Sequence, residues 1–295
     1  MHMEKRVIIK SKAFLWSTNK ENEIAKRITM ENPLLLGHIT KQEAMELYEN
    51  RLVVSELLYG DVVEVISTDK KFAKVVVPEQ KSFQDEKGYP GYIALADLGP
   101  IPENYPETRK AGVISKTAEL AFEAGISQEI SFGTILRVGK ENPYTYTVFT
   151  PHGKAEIPKI SVMLHEEVSR EAIVRNVIHS ARKFLELPYV WAGTSAAGFD
   201  CSGFVYALFR TYGIWISRDA EEQSHEGKHV DYADAKPGDL LFFAYEEGKG
   251  AVHHVGLYLG SDQMIHSQTP GSKVIITKLS GTNYETELCT VARHF

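Results

Sequence analysis

The chain has 295 residues, 43% of them hydrophobic and 24% charged, which is the balance of a globular protein long enough for two or three domains. A net charge of −6, with both signs mixed along the chain, excludes the basic field of a nucleic-acid-binding protein or of one held to an anionic membrane. No window approaches the roughly 20 apolar residues of a membrane-spanning helix, and two cysteines exclude a disulfide scaffold.

Met1-His2-Met3 leads through charged residues into Val7-Ile8-Ile9, an apolar run too short for a secretory signal. The protein is therefore expected in the cytoplasm, unless a secretion signal precedes this sequence. Residues 41–50, with Gln-Glu-Ala-Met-Glu-Leu-Tyr, favour a helix. Residues 62–66 and 73–77 are rich in β-branched side chains and read as strands. Gly88-Tyr89-Pro90-Gly91 marks a turn into another strand. Pro100, Pro102 and Pro106 form a joint, which places a boundary between 104 and 105. Beyond it, residues 130–157 hold short strands, including 134–138 and 145–149, at the density of a small barrel.

The character changes near residue 165. Ile173, Val177, Ala181, Phe184 and Leu185 have helical spacing within 170–187, and 203–212 reads as a second helix. Strands are expected at 240–243, 254–259, 263–266, 274–276 and 289–292. Helices followed by strands predict an α+β domain with an antiparallel sheet over 166–295, after β-rich units at 1–104 and 105–165.

The residues that suggest chemistry lie in this last part. Asp200 is placed to cap the second helix and Cys201 lies in its first turn. Free N–H groups and the positive end of the helix dipole are expected there to lower the thiol pKa. An ordinary cysteine at a helix start fits the same segment. Cys289, in a strand-like run, is expected to be a buried structural thiol. His254 leads one strand and His266 ends the next, with Gly260-Ser261-Asp262 as the turn between them. Alternation can put both histidines on one face, and His253 on the other. A thiol, a histidine and a third polar group are the parts of nucleophilic catalysis, although histidines satisfied within a core have the same pattern. A zinc site would also use Cys and His, but no close ligand pair is present, so neither metal nor cofactor is expected.

Pro188-Tyr189-Val190-Trp191-Ala192-Gly193, Phe199-Asp200-Cys201-Ser202-Gly203-Phe204-Val205, Arg218-Asp219, Pro237-Gly238-Asp239-Leu240 and His254-Val255-Gly256-Leu257-Tyr258-Leu259-Gly260 occur in the order seen in NlpC-type, papain-like cell-wall peptidases. The resemblance covers 170–295. The N-terminal half resembles tandem bacterial SH3-like domains, and the combination is similar to γ-D-glutamyl-L-diamino acid endopeptidases of the dipeptidyl-peptidase VI type. The resemblance implies a papain-like domain preceded by two SH3-like barrels. It implies a cysteine peptidase that cuts the γ-D-Glu–diamino acid bond of murein peptides with a free N-terminal L-Ala, releasing L-Ala-D-Glu. Cys201 would be the nucleophile, His254 the proton shuttle and His266 its orienting partner. Tyr189 and the Cys201 N–H would meet the oxyanion, with Asp200 and Ser202 flanking the thiol. Asp219 would bind the terminal amine, unless it merely caps a helix. Glu56 and Tyr89 would close the cleft from the first β unit, with Tyr92 and Glu79 as alternatives. An endopeptidase acting on intact wall and a non-catalytic wall-binding module are the other readings. The expected partner is a murein peptide, and the expected state a monomer.

Overall fold

The computed structural model describes residues 4–20, 23–24, 27, 39–103, 105–123, 125–166 and 169–295. Met1-His2-Met3 and Asn104, at the expected boundary, lie outside the described residues. Strands β1 (Glu4–Ile8), β2 (Lys12–Trp16), β3 (Val53–Leu58), β4 (Val62–Thr68), β5 (Phe72–Val77), β6 (Tyr89–Ala94) and β7 (Leu98–Pro100) form one antiparallel sheet in the order β3-β2-β6-β5-β4-β1-β7. Alternation turns Ala13, Leu15, Val63, Val65, Ala73, Val75 and Val77 into one core. Helix α1 (Lys41–Glu49) interrupts the sheet between β2 and β3; Thr40 and Glu43 cap its start reciprocally.

The next seven strands are β8 (Lys110–Val113), β9 (Thr117–Phe122), β10 (Ser127–Ser131), β11 (Ile135–Glu141), β12 (Thr145–Thr150), β13 (Gly153–Pro158) and β14 (Val162–Leu164). Their order, β10-β9-β13-β12-β11-β8-β14, is the first order moved on by seven. A single 3₁₀ turn precedes the last strand in both, at Leu95–Asp97 and Lys159–Ser161. The N-terminal half is thus one topology used twice.

In the C-terminal part, α2 (Arg170–Arg182) is capped by the Ser169 side chain, and α3 (Cys201–Thr211) by that of Asp200. A two-strand ribbon, β15 (Thr194–Ser195) and β16 (Gly198–Phe199), stands before α3. The main sheet holds β17 (Lys228–His229), β18 (Leu240–Ala244), β19 (Val252–Gly260), β20 (Gln263–Ser267), β21 (Val274–Lys278) and β22 (Leu288–Arg293), antiparallel in the order β17-β22-β18-β19-β20-β21. Every residue of α3 after Cys201 is buried, so this helix is the centre of the domain, not a surface element. Phe184, Phe199 and Phe204 pack edge-on or tilted around it, and Phe132 of the second β unit joins them.

Two expectations are corrected here. The helix read over 170–187 stops at Arg182: Glu186 takes a φ of 72°, and the approach to Pro188 disfavours further helix. Cys289 is only partly buried, its thiol donating to the Phe242 carbonyl at 3.3 Å. The reason lies in the sheet. The two-residue β17 covers only Ala292 and Arg293, which leaves the start of β22 at an edge.

α3 is also bolted to the first β unit. Arg210 donates to Asp61 through two nitrogens, at 2.7 and 3.2 Å, with both residues buried. Removing one partner strands the other charge in the interior. Asp61→Asn is expected to cost about 3–5 kcal/mol in chemical denaturation, and a loss below about 1 kcal/mol would show the contact to be dispensable.

Candidate active site

The start of α3 is held from three directions. Asp200 Oδ1 accepts the Gly203 N–H at 2.6 Å, which fixes the first turn. Arg218, fully buried, donates to Asp200 Oδ2 at 2.7 Å, to the Ser202 hydroxyl at 3.0 Å and, through Nε, to Ser55 of β3 at 3.0 Å. Gly203 is required by contact: a Cβ there would stand 2.1 Å from the Gly193 carbonyl oxygen. Cys201, first residue of the helix, is thereby set on the wall of a cavity of about 600 Å³ that the first β unit and the C-terminal domain enclose together.

His254 lines the same cavity. Its Nε2 lies 2.6 Å from His266 Nδ1, and His266 Nε2 lies 2.8 Å from the Thr277 hydroxyl. Leu257 pairs with Ile265 and Tyr258 with Met264, so residues 254 and 266 share a face of the β19–β20 hairpin. Gly256 leaves the room they need, since a Cβ there would meet Met264 Sδ at 2.5 Å and His266 Cβ at 3.4 Å. With His254 bonded through Nε2, its Nδ1 is the nitrogen left to take a proton. That assignment requires an Nε2–H on His254 donating to His266, whose own Nε2–H then donates to Thr277. Tyr284 stacks on His254 at 5.5 Å and meets His266 edge-on at 5.2 Å.

His253 was expected to face away and does not. Phe243 pairs with His254 but Ala244 with Val252, a β-bulge that gives β19 one extra residue. A bulge lets neighbouring side chains leave the strand on the same side, and His253 lines the cavity beside His254, their ring centres 6.4 Å apart. Tyr245 stacks on His253 at 4.2 Å, and Glu287 stands 3.3 Å from its Nε2.

Tyr189, Asp200, Ser202, Asp219 and Tyr89 also line the cavity. Asp219 precedes α4 (Ala220–Gln223), but its side chain makes no capping bond. Instead it accepts the Tyr89 hydroxyl at 2.7 Å, across the domain boundary. Glu56 stands apart from the cavity: fully buried, it accepts the Thr194 N–H at 2.8 Å and pairs with Lys12 at 3.6 Å. The first β unit contributes Tyr48, Arg51, Val53 and Val54 to the wall in its place; Tyr92 and Glu79 are not among the lining residues. Sequence reasoning missed Arg218 as an anchor, and Thr277, Tyr284 and His253. Thr277 was within reach, two residues beyond Ile275, which pairs with His266.

Burial pushes the Cys201 thiol up to about 12, and the Asp200 carboxylate adds to the rise; the Ser202 and Val255 backbone and Arg218 act the other way. The lowering expected from the helix start is therefore outweighed, and the thiol needs a base. Burial holds His254 well below the ordinary histidine value, reinforced by His266 and His253, and lowers His266 to about 3. A base with a depressed pKa stays unprotonated as pH falls through 6.5. The acid limb of kcat/KM is accordingly expected well below pH 6.5, and a half-maximum at 6.5 would contradict the burial argument. Burial also keeps the Tyr189 hydroxyl protonated, with Cys201 and Asp200 reinforcing the effect, so it retains a proton to donate beside the thiol.

Residues 186–293 match the NlpC/P60 family. The chain is 39% identical over 263 residues to the γ-D-glutamyl-L-lysine dipeptidyl-peptidase of Bacillus subtilis, covering 88% of this chain and 87% of that one. It is 32% identical to the Bacillus cereus protein of the same name, over 96% and 89% of the two chains. A crystal structure of an NlpC/P60 family protein from Bacillus cereus superposes with a TM-score of 0.88 at 31% identity, covering 99% of each chain. With its cysteine at a buried helix start and its histidines on the facing sheet, this chain belongs to the NlpC/P60 family of cysteine peptidases.

Proposed function

We propose that this peptidase hydrolyses the γ-D-Glu–diamino acid bond of short murein peptides whose N-terminal L-Ala is free, releasing L-Ala-D-Glu during wall-peptide recycling. The observation that carries this reading is the Tyr89–Asp219 pair. A carboxylate that caps nothing faces the cavity, held by a hydroxyl from another unit. Burial lifts the Asp219 carboxyl against the pull of Arg218, whose Nη1 stands 3.9 Å away, and of Tyr89, and an ammonium group entering the cavity adds a further counter-charge. The names of the two long relatives support the γ-D-glutamyl bond and, for the diamino acid, lysine. The repeated β topology at residues 4–164 supports reading the N-terminal units as a tandem SH3-like pair, with boundaries at 104 and 165.

In the proposed reaction, Cys201 Sγ bonds to the γ-carbonyl carbon while its proton passes to His254 Nδ1. The oxyanion is met by the Cys201 N–H, free at the helix start, and by the Tyr189 hydroxyl. The C–N bond then breaks, His254 returns the proton to the leaving amine, and a thioester remains on Cys201. Water, deprotonated by His254, hydrolyses it and restores the thiol. His266 holds the tautomer that leaves Nδ1 basic, and Thr277 fixes His266 in turn.

Cys201→Ala is expected to keep its thermal transition and lose several powers of ten in kcat on L-Ala-γ-D-Glu-L-Lys; unchanged turnover would sink the assignment. N-acetylation of that peptide is expected to abolish cleavage, as followed by mass spectrometry, and equal cleavage of both forms would remove Asp219 from recognition. Thr277→Val deletes one orienting hydrogen bond and is expected to lower kcat roughly tenfold with KM little changed. A rise in KM alone would place Thr277 outside the relay.

A further inference from the structure

Arg51 is the one lysine or arginine on the cavity wall among the described residues. It follows α1 with a φ of 49°, the left-handed conformation that glycine takes most readily at a helix end. Its backbone is pinned there: the carbonyl accepts the Ser17 hydroxyl at 2.9 Å and the N–H donates to Tyr48 at 3.2 Å. The guanidinium lies over two rings at once, 4.5 Å from the centre of Tyr48 and 4.2 Å from that of Trp191. Those rings meet edge-on at 5.2 Å, and Trp191 is fixed by its Nε1–H bond to the Val53 carbonyl at 3.0 Å.

A guanidinium resting in the corner between two rings keeps in-plane N–H donors, in the fork that fits a carboxylate. Among the described residues no carboxylate takes that fork, and Arg51 has no ion-pair partner there. The other cationic and anionic groups nearby are differently occupied. Asp200 is neutralised by Arg218, Glu221 accepts the Val252 N–H, and Asp219 accepts Tyr89.

We propose that Arg51, framed by Tyr48 and Trp191, is a subsite for a carboxylate of the peptide substrate. The inference rests on the proposed substrate class and deepens it. A γ-linked D-Glu keeps its α-carboxylate free beside the scissile bond, and a tripeptide also ends in the carboxylate of its diamino residue. Both present the same chemistry to Arg51, and the cavity then reads a peptide by its positive end at Asp219 and a negative group at Arg51. A longer or amidated stem lacks one of those carboxylates, so this residue would also sort substrates by how far they have been trimmed or modified.

The test is calorimetric binding to the full chain carrying Cys201→Ala, with and without Arg51→Gln or Arg51→Lys. The ligands are L-Ala-γ-D-Glu-L-Lys, the same peptide amidated at the Glu α-carboxyl, and the same peptide amidated at its C-terminus. One amide is expected to bind about ten- to a hundredfold more weakly than the acid. Arg51→Gln is expected to weaken the acid by the same factor and leave that amide unchanged, with Arg51→Lys between the two. The amide that loses affinity identifies the carboxylate. No binding of the acid, equal binding of all three peptides, or an Arg51→Gln effect equal on all three would overturn the subsite. Cleavage by the unmutated enzyme is read separately. Cleavage without any Arg51 dependence of binding removes only the subsite. Arg51-dependent binding without cleavage removes only the proposed reaction.

Discussion

The site depends on one buried ion pair. Arg218 and Asp200 are almost sealed from solvent, and a pair so placed is tolerable only when every remaining donor and lone pair is used. Here they nearly all are, and each bond positions something. One Asp200 oxygen caps α3 and so sets the first turn that bears Cys201. Arg218 Nη1 holds the Ser202 hydroxyl, and its Nε reaches Ser55 in the first β unit. Ser55 continues to Gln80 at 2.6 Å, and Gln80 to the Glu56 carbonyl at 2.9 Å. The helix start, the cavity wall and the neighbouring unit are therefore parts of one polar network, which cannot shift piecewise without stranding a charge. Glu56 belongs to this network as a tie, through Thr194 of the ribbon before the helix.

A second constraint sets the opposite wall. In the proposed reaction the sheet supplies the base at His254, and a single imidazole can rotate or change tautomer. The His266–Thr277 relay removes that freedom, and Tyr284 closes over both rings. Burial then keeps the imidazoles neutral, which suits a base and leaves the thiol protonated until attack. Enclosure has a further effect. Because the first β unit supplies Tyr89, Tyr48 and Arg51, the cleft is walled by two units and not by the C-terminal part alone.

Much of this was legible in the sequence because it is carried by local patterns. Asp-Cys-Ser-Gly before an apolar run specifies a capped helix start, and two strands around a Gly-Ser-Asp turn put His254 and His266 on one face by simple alternation. The strands at 62–66 and 73–77 were visible in their β-branched residues, whereas β1, β2 and β3 were not, since Lys, Arg, Ser and Glu dilute them. What could not be read locally were non-local facts. The bulge at His253 is a property of the pairing between β18 and β19, and Asp219's partner lies 130 residues away. The thiol's environment is of the same kind: a helix start argues for a lowered pKa, and only the packed structure shows burial exceeding it.

The central claim is that a γ-glutamyl acyl group passes through Cys201, and it is tested most directly by trapping that intermediate. The enzyme would be mixed with L-Ala-γ-D-Glu-L-Lys, quenched in acid within the first turnover, and its intact mass and peptide map recorded. The account predicts a fraction of protein heavier by one L-Ala-γ-D-Glu acyl group, with the label on the peptide containing Cys201. Turnover through an unlabelled Cys201, or a label on Cys289 or elsewhere, would contradict it.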